Sequence, residues 1–327
     1  MGKGNEETMA LEYILPLEDS RAILENVGGK GAALSRLKNA GLPVPGGFVV
    51  TTAAYQQFVA ANHLQGRITD ALESIDSSQT TTLEAGSRAI GDLFANGLMP
   101  AQVAEKIAAA YQELPGVQPP VAVRSSATAE DLPDLTFAGQ QETFLNMQGA
   151  AAVQEAVKRC WASLWTPRAI GYRAQHKIEH GAVNMAVVVQ MLVIADSAGI
   201  MFTANPVTGR RDHIVINAAW GLGEAIVGGL VTPDTLIVEK SSRRVIERDI
   251  GDKEVMTVRT DGGTSERPVP EPLRRSPVLD DAQIIELTRL GALIEGLYQM
   301  PMDVEWAFAA GKFAILQARP ITALPET

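Results

Sequence analysis

The chain has 327 residues, 46% apolar and 20% charged, with 38 acidic against 28 basic side chains and a net charge of −10. That composition excludes a disordered or fibrous chain. The acidic balance argues against a general nucleic-acid binder but leaves room for a local basic pocket around one small anion.

At this length about two domains, or one two-lobed unit, are expected. The amino terminus, MGKGNEETMA, has no apolar core of the kind a signal peptide needs, and Glu6 stands where a myristoylation signal takes Ser or Thr. Residues 19–40 read as a glycine-punctuated helix start, with Leu34, Leu37 and Lys38 at helical spacing and a stop at Gly41. A Pro/Gly turn then leads to a strand at 48–50 and a helix capped by Thr51 or Thr52. Residues 68–113 are mostly helical, most clearly in AQVAEKIAAAYQEL.

Pro119-Pro120 opens a β-rich stretch with strands expected at 121–124, 185–191, 214–217, 235–239, 303–308 and 313–317. Helices are expected between them at 151–164 and 281–297. RPVPEPLRRSP (267–277) reads as an ordered surface connection. The result is an α+β (mixed α/β) chain with mostly antiparallel pairing in its second half. Cys160 is the single cysteine, which excludes an intrachain disulfide or a four-cysteine metal site. The longest uncharged apolar stretch, 181–195, is too short to span a bilayer and carries Asn184 and Gln190. A cytoplasmic protein with no membrane or nucleic-acid partner is expected.

Three segments carry candidate chemistry. GGKGA (28–32) sets Lys30 between glycines at a helix start, where small residues, backbone N–H groups and a full charge suit a phosphate. Read alone, it is equally a glycine-rich turn with a solvated lysine. VAVRSSATAEDLPDLTFAGQQETFLN (121–146) puts Arg124 at the end of an apolar strand before a hydroxyl-rich loop containing Gly139, which suits a flap over phosphate oxygens. The plainer alternative is a polar hairpin with Arg124 paired to Glu130 or Asp131. In PMDVEWAFAAGKFAILQARPIT (301–322), alternation puts Asp303 and Glu305 on one strand face and Gln317 with Arg319 on one face of the next. Carboxylate and carboxamide oxygens are hard ligands for Mg²⁺, and the arginine suits a triphosphate. The alternative is an exposed polar sheet face.

Weaker candidates are the strand around Gln190, Met191, Leu192 and Val193, whose backbone could meet an adenine edge, and Glu224 in a glycine-rich segment without Rossmann spacing, within reach of a ribose hydroxyl. His63, His176, His180 and His213 show no metal-ligand pattern beyond the i, i+4 pair His176 and His180, which reads as a solvated helix face.

Taken in order, GGKGAALSRL, VRSSATAEDLPDLTFAGQQETFLN, GIMFTANPVTG, GLGEAIVGG and DVEWAF…LQARPIT resemble the nucleotide-binding domain of phosphoenolpyruvate synthase, pyruvate phosphate dikinase, rifampicin phosphotransferase and the phenylphosphate synthases. The resemblance runs from about residue 12 to 322 and implies an ATP-grasp fold, with the nucleotide between a lobe at about 12–198 and a lobe at about 199–322. It implies ATP and Mg²⁺ as cofactors. Lys30 and Arg124 would clamp the phosphates and Gly139 would belong to the loop over them. Gln190 and Val193 would hold the adenine, Glu305 and Gln317 would ligate Mg²⁺ with Asp303 nearby, and Arg319 would bind phosphate. Thr136 stands where the family usually has serine, and Leu297-Tyr298-Gln299 replaces the usual histidine-tyrosine-glycine.

In that family ATP phosphorylates a histidine on a separate domain, giving AMP and phosphate, and the group passes on to pyruvate, a phenol or a drug hydroxyl. No phosphohistidine domain and no substrate barrel follow LQARPIT here, so a histidine-domain partner or further C-terminal domains are implied. TDGGTSE (260–266) has Glu266 where a histidine would be needed and reads as a surface turn. Two other readings stay open: an ATP-grasp carboxylate ligase, and a nucleotide-sensing subunit without turnover.

If Glu305 and Gln317 share an ion they must face each other, so paired residue numbers sum to 622 and Asp303 faces Arg319. That register predicts a three-residue loop of Ala310, Gly311 and Lys312.

Overall fold

The computed structural model describes residues 12–128, 142–322 and 324–325. Strands β1 (Ile14–Pro16), β2 (Gly47–Val50), β3 (Val121–Ala127), β4 (Thr143–Met147) and β5 (Met185–Met191) form one sheet in the order β1-β2-β5-β3-β4. Every pairing in it is antiparallel. Helices α1 (Leu24–Asn39), α2 (Thr52–Ala61), α3 (Leu64–Glu73), α4 (Thr80–Asn96), α5 (Ala101–Gln112), α6 (Ala150–Ser163) and α7 (Pro167–Gln175) belong to this part of the chain.

A second antiparallel sheet has the order β13-β12-β6-β7-β8-β9. Its strands are β6 (Ser197–Phe202), β7 (His213–Trp220), β8 (Asp234–Glu239), β9 (Val245–Asp249), β12 (Met302–Ala309) and β13 (Lys312–Pro320). The hairpin of β10 (Val255–Thr260) and β11 (Gly263–Pro268) stands apart. Short helices α8 (Glu224–Val227) and α9 (Glu271–Arg274) and the long α10 (Asp281–Tyr298) complete the chain. The mixed α+β class read from the sequence is the observed one, and antiparallel pairing extends to both sheets.

Period-two alternation makes the first sheet a divider. Phe48 and Val50 of β2, Val121 and Val123 of β3, and Val187 and Val189 of β5 enter one core. There they meet α2 to α6, with Phe58 stacked on Phe94 and packed against Trp161. The intervening Val49, Ala186 and Val188 enter a second core shared with α1, α10 and the second sheet. Hydrophobic burial on both faces, worth about 1.5–3 kcal/mol per large side chain, fixes which residues remain for other work. Arg124 and Gln190 alternate with the first set and so face the second sheet.

Expected helices and strands recur with boundary shifts, while β1, β4, β6, β9, β10, β11, α7, α8 and α9, the last inside the 267–277 connection, are additions to the sequence reading. Thr51 takes the N-cap position of α2 but makes no capping bond; its hydroxyl donates to the Glu12 carbonyl at 2.7 Å. TDGGTSE is a tight hairpin turn, with Thr260 opposite Gly263. His176 and His180 are not a solvated helix face: His176 caps the end of α7, and His180 opens a single 3₁₀ turn and bonds Arg173.

Candidate functional site

A cleft of about 560 Å³ opens between β3 and β5 of the first sheet and β12 and β13 of the second. Lys30, Arg124, Gln190, Met191, Leu192, Val193, Glu224, Glu305, Gln317 and Arg319 all line it. A larger cavity of about 940 Å³ lies between α10 and the β12–β13 turn, and it holds none of the expected site residues. The smaller cleft is therefore the candidate site. Gly139 lies outside the described residues, as do Glu130, Asp131 and Thr136.

The glycines of GGKGA serve a packing contact within the chain as well as any ligand. Gly28 kinks α1 just after its first turn at φ +69°, and a Cβ there would stand 2.1 Å from the Ser126 carbonyl oxygen. This close approach lets Ser126 Oγ donate to the Val27 carbonyl at 2.7 Å and accept from the Gly31 N–H at 3.1 Å. The Gly31 donor is thereby committed inside the protein. Lys30 is only 6% exposed, and its Nζ donates to the Ser125 carbonyl at 3.1 Å, which fixes the ammonium at the cleft wall.

Arg124 bridges the two sheets. Its Nη1 donates to Glu305 Oε2 at 3.4 Å and to the Leu316 carbonyl at 3.3 Å. Its Nε is buried and has no partner among the described residues. Gln190 is 1% exposed, and its Nε2 is likewise unpartnered among the described residues. Trp306 Nε1 is a third such atom among the lining residues; buried polar atoms are almost always bonded, so orphans gathered at one cleft suit a polar ligand. The N–H groups of Met191 and Leu192 are already given to the Gly46 and Pro120 carbonyls, at 2.8 and 2.9 Å. They are not free to read a base edge. Glu224 opens α8 at the exposed rim.

On the second sheet Glu305 pairs with Gln317 and Asp303 with Arg319, the register in which paired numbers sum to 622. Beyond Glu305 the register shifts: Trp306 pairs with Ile315 and Ala309 with Lys312. Leu316 is therefore an extra residue, a β-bulge, and the loop is two residues rather than the expected three. Ala310 and Gly311 form it at φ +49° and +76°, the left-handed pair that such turns require. The bulge reconciles a tight turn with a shared face for Glu305 and Gln317, and it adds Leu316 to the cleft. Only a two-residue turn and a shared face demanded together would have revealed it from sequence.

Asp303 does not line the cleft. Its Oδ2 accepts from Arg319 Nε at 2.9 Å, so the structure uses it to orient the arginine rather than as a ligand at the cavity. Burial pushes its carboxyl above the usual range, with Arg319 opposing. Among the described residues no group of three His, Cys, Asp or Glu side chains gathers to hold a metal ion. Glu305 and Gln317 offer one carboxylate and one carboxamide oxygen, a hard but incomplete donor set that needs further oxygens from water or a ligand. Sequence reading missed Thr143, Leu145 and Leu316 as cleft walls, and Leu222 and Gly223 beside Glu224.

Comparison with known proteins adds the following. Residues 24–327 match the family described as pyruvate phosphate dikinase, AMP/ATP-binding domain. The chain is 45% identical over 328 residues to a probable phosphoenolpyruvate synthase of Methanocaldococcus jannaschii, covering 98% of this chain and 28% of that protein. It is 43% identical to phosphoenolpyruvate synthase of Pyrococcus furiosus, covering 97% and 45%. Rifampicin phosphotransferase of a Streptomyces species is 41% identical, covering 97% and 36%. The chain thus spans less than half the length of these curated relatives. A solved D-alanine–D-alanine ligase from Bacillus anthracis overlaps 71% of this chain and 59% of its own at 9% identity, but a TM-score of 0.24 bears on nothing further.

Proposed function

Because the chain belongs to the pyruvate phosphate dikinase AMP/ATP-binding domain family, we propose that its cleft binds ATP with Mg²⁺ and donates a phosphoryl group to a histidine on another domain or subunit. The reading carries with it the ATP-grasp arrangement of a nucleotide between two lobes. The observation that supports it most is the convergence of Lys30 and Arg124 from one sheet's side with Glu305, Gln317 and Arg319 from the other, all on one cavity.

Phosphoryl transfer asks the protein for positioning and charge stabilisation rather than covalent chemistry. Lys30, anchored on Ser125, and Arg319, oriented by Asp303, present fixed cations to phosphate oxygens. Arg124 and Glu305 offset each other's charge across the cleft. The residues fit the ion: Glu305 and Gln317 would hold Mg²⁺, with phosphate oxygens completing its shell. When bound, Mg²⁺ would neutralise charge on those oxygens. Gln190, buried and with its Nε2 unpartnered among the described residues, is suited to the base.

The phosphoryl acceptor and the final substrate belong to this proposal too. The names of the relatives, a phosphoenolpyruvate synthase and a rifampicin phosphotransferase, favour phosphoryl transfer over carboxylate ligation, and the motif resemblance adds the histidine relay. A cytoplasmic location goes with it, supported by a single buried cysteine and by the absence, among the described residues, of any helix long and apolar enough to cross a membrane. The test mixes the chain with the histidine-bearing domain of a phosphoenolpyruvate synthase and ATP labelled at the β-phosphate. Acid-labile label on the partner together with AMP supports the proposal. ADP as product, or label on this chain alone, would refute it.

A further inference from the structure

On the far side of the first sheet from the cleft, Arg173 of α7 is buried with 0% exposure. Its Nε donates to His180 Nδ1 at 3.0 Å, and its guanidinium carbon lies 5.1 Å from the centre of the Trp165 ring. Nη1 and Nη2 are buried and have no hydrogen-bond partner among the described residues. Burial lowers the arginine's pKa to about 10, so it stays charged at neutral pH. A buried cation resting on an aromatic face and a neutral imidazole, with two donors unmet, is a state that proteins compensate with an anion.

A cavity of about 660 Å³ lies beyond Trp165 and His180, which line it together with Tyr55, Val59, Ile68 and Leu72; Arg173 sits behind these two and does not itself line it. We propose that Arg173 and this cavity form a second ligand site, for a monocarboxylate with a short apolar tail. The planar fork of Nη1 and Nη2 matches the two oxygens of a carboxylate once His180 swings away from Nε. The tail has Val59, Ile68 and Leu72 to lie on. Glu73 and Glu179 also border the cavity, and their charges disfavour multiply charged phosphates. His180, on the half-buried to exposed turn His180–Ala182, is the side chain between the cavity and the guanidinium that must yield for entry.

The test is a calorimetric titration of the full chain with benzoate, butyrate and inorganic phosphate, with ATP titrated separately as a control on the cleft. Saturable 1:1 binding of benzoate and butyrate, unaffected by saturating ATP, is expected, with phosphate much weaker. Arg173→Gln is expected to weaken benzoate at least about thirtyfold, as loss of one partner of a buried charge pair does, and to leave ATP binding unchanged. Should that variant fail to fold, wild-type crystals soaked in 4-bromobenzoate answer the same question through the bromine anomalous signal. A bromine peak in the cavity, with the carboxylate on Arg173, supports the site. No benzoate binding, equal binding of phosphate, or an empty cavity in the soaked crystals would overturn it. Because ATP is read independently, failure here is distinct from failure of the cleft assignment.

Discussion

Glu305 and Gln317 stand directly opposite one another across the β12–β13 hairpin, immediately beside the bulge at Leu316. The bulge absorbs one residue, so a two-residue turn and a common face for the two side chains coexist. Arg124 reaches from the first sheet to both features, donating to the Glu305 carboxylate and to the carbonyl of the bulged residue. Charge and backbone geometry are thus coupled at one point of the cleft.

From that pairing, Glu305→Ala and Gln317→Ala are each expected to weaken ATP binding in Mg²⁺ by at least about tenfold, ~1.4 kcal/mol. Metal-free binding should not fall in Glu305→Ala, because Arg124 loses its carboxylate partner and remains available to phosphate. Fluorescent-nucleotide titrations with Mg²⁺ and with EDTA separate the two effects. Equal losses with and without metal would refute the metal role.

Gly28→Ala should destabilise the chain by about 2 kcal/mol or more, since the new Cβ meets the Ser126 carbonyl in a left-handed backbone conformation. Gly41→Ala is the control: φ is +78° there too, but nothing lies within 4 Å, so only the backbone penalty of about 1 kcal/mol applies. Thermal or urea unfolding ranks the two. Nucleotide affinity should fall only in the first, through the displaced Lys30.

The mixed fold, the long helices and the catalytic-looking strands were legible because apolar periodicity and Gly/Pro punctuation are local signals. Strands β9, β10 and β11 were not, since their residues are half-buried or exposed, Thr257 alone excepted, and carry no alternation of apolar character. The cleft residues were legible by motif, yet Asp303 illustrates the limit. Strand alternation puts it on the same face as Glu305, but only the three-dimensional register shows Arg319 consuming its carboxylate. Leu316 was hidden because a bulge violates the period on which strand reading depends.

His180 supplies a pH prediction. Burial first, and Arg173 second, hold its imidazole below the usual histidine range. The unfolded chain takes up that proton more readily than the folded one. The stability tied to neutral His180 is therefore full above about pH 6.5, the unfolded value, and is lost as pH falls through the lowered folded value. Melting midpoints measured between neutral and mildly acidic pH should decline on acidification, and His180→Gln should flatten that decline. An identical slope in the variant would contradict the assignment.

Asn146 of β4 ties the β10–β11 hairpin to the first sheet. Its Nδ2 donates to the Thr260 and Gly263 carbonyls at 2.6 and 2.9 Å, and its Oδ1 accepts from Arg259 Nε at 2.7 Å. Asn146→Ala should cost about 1–3 kcal/mol, with two carbonyls left seeking donors. Hydrogen exchange should accelerate across residues 255–268 and remain unchanged in β5. Uniform acceleration would mean a global rather than a local effect.

The most direct measurement of the central claim is a crystal structure of the chain grown with Mg²⁺ and a non-hydrolysable ATP analogue. The account predicts the triphosphate between Lys30, Arg124 and Arg319, with the ion on the Glu305 carboxylate and the Gln317 side-chain carbonyl and the base beside Gln190. Nucleotide bound elsewhere, for instance in the larger cavity between α10 and the β12–β13 turn, or an ion that touches neither Glu305 nor Gln317, would contradict it.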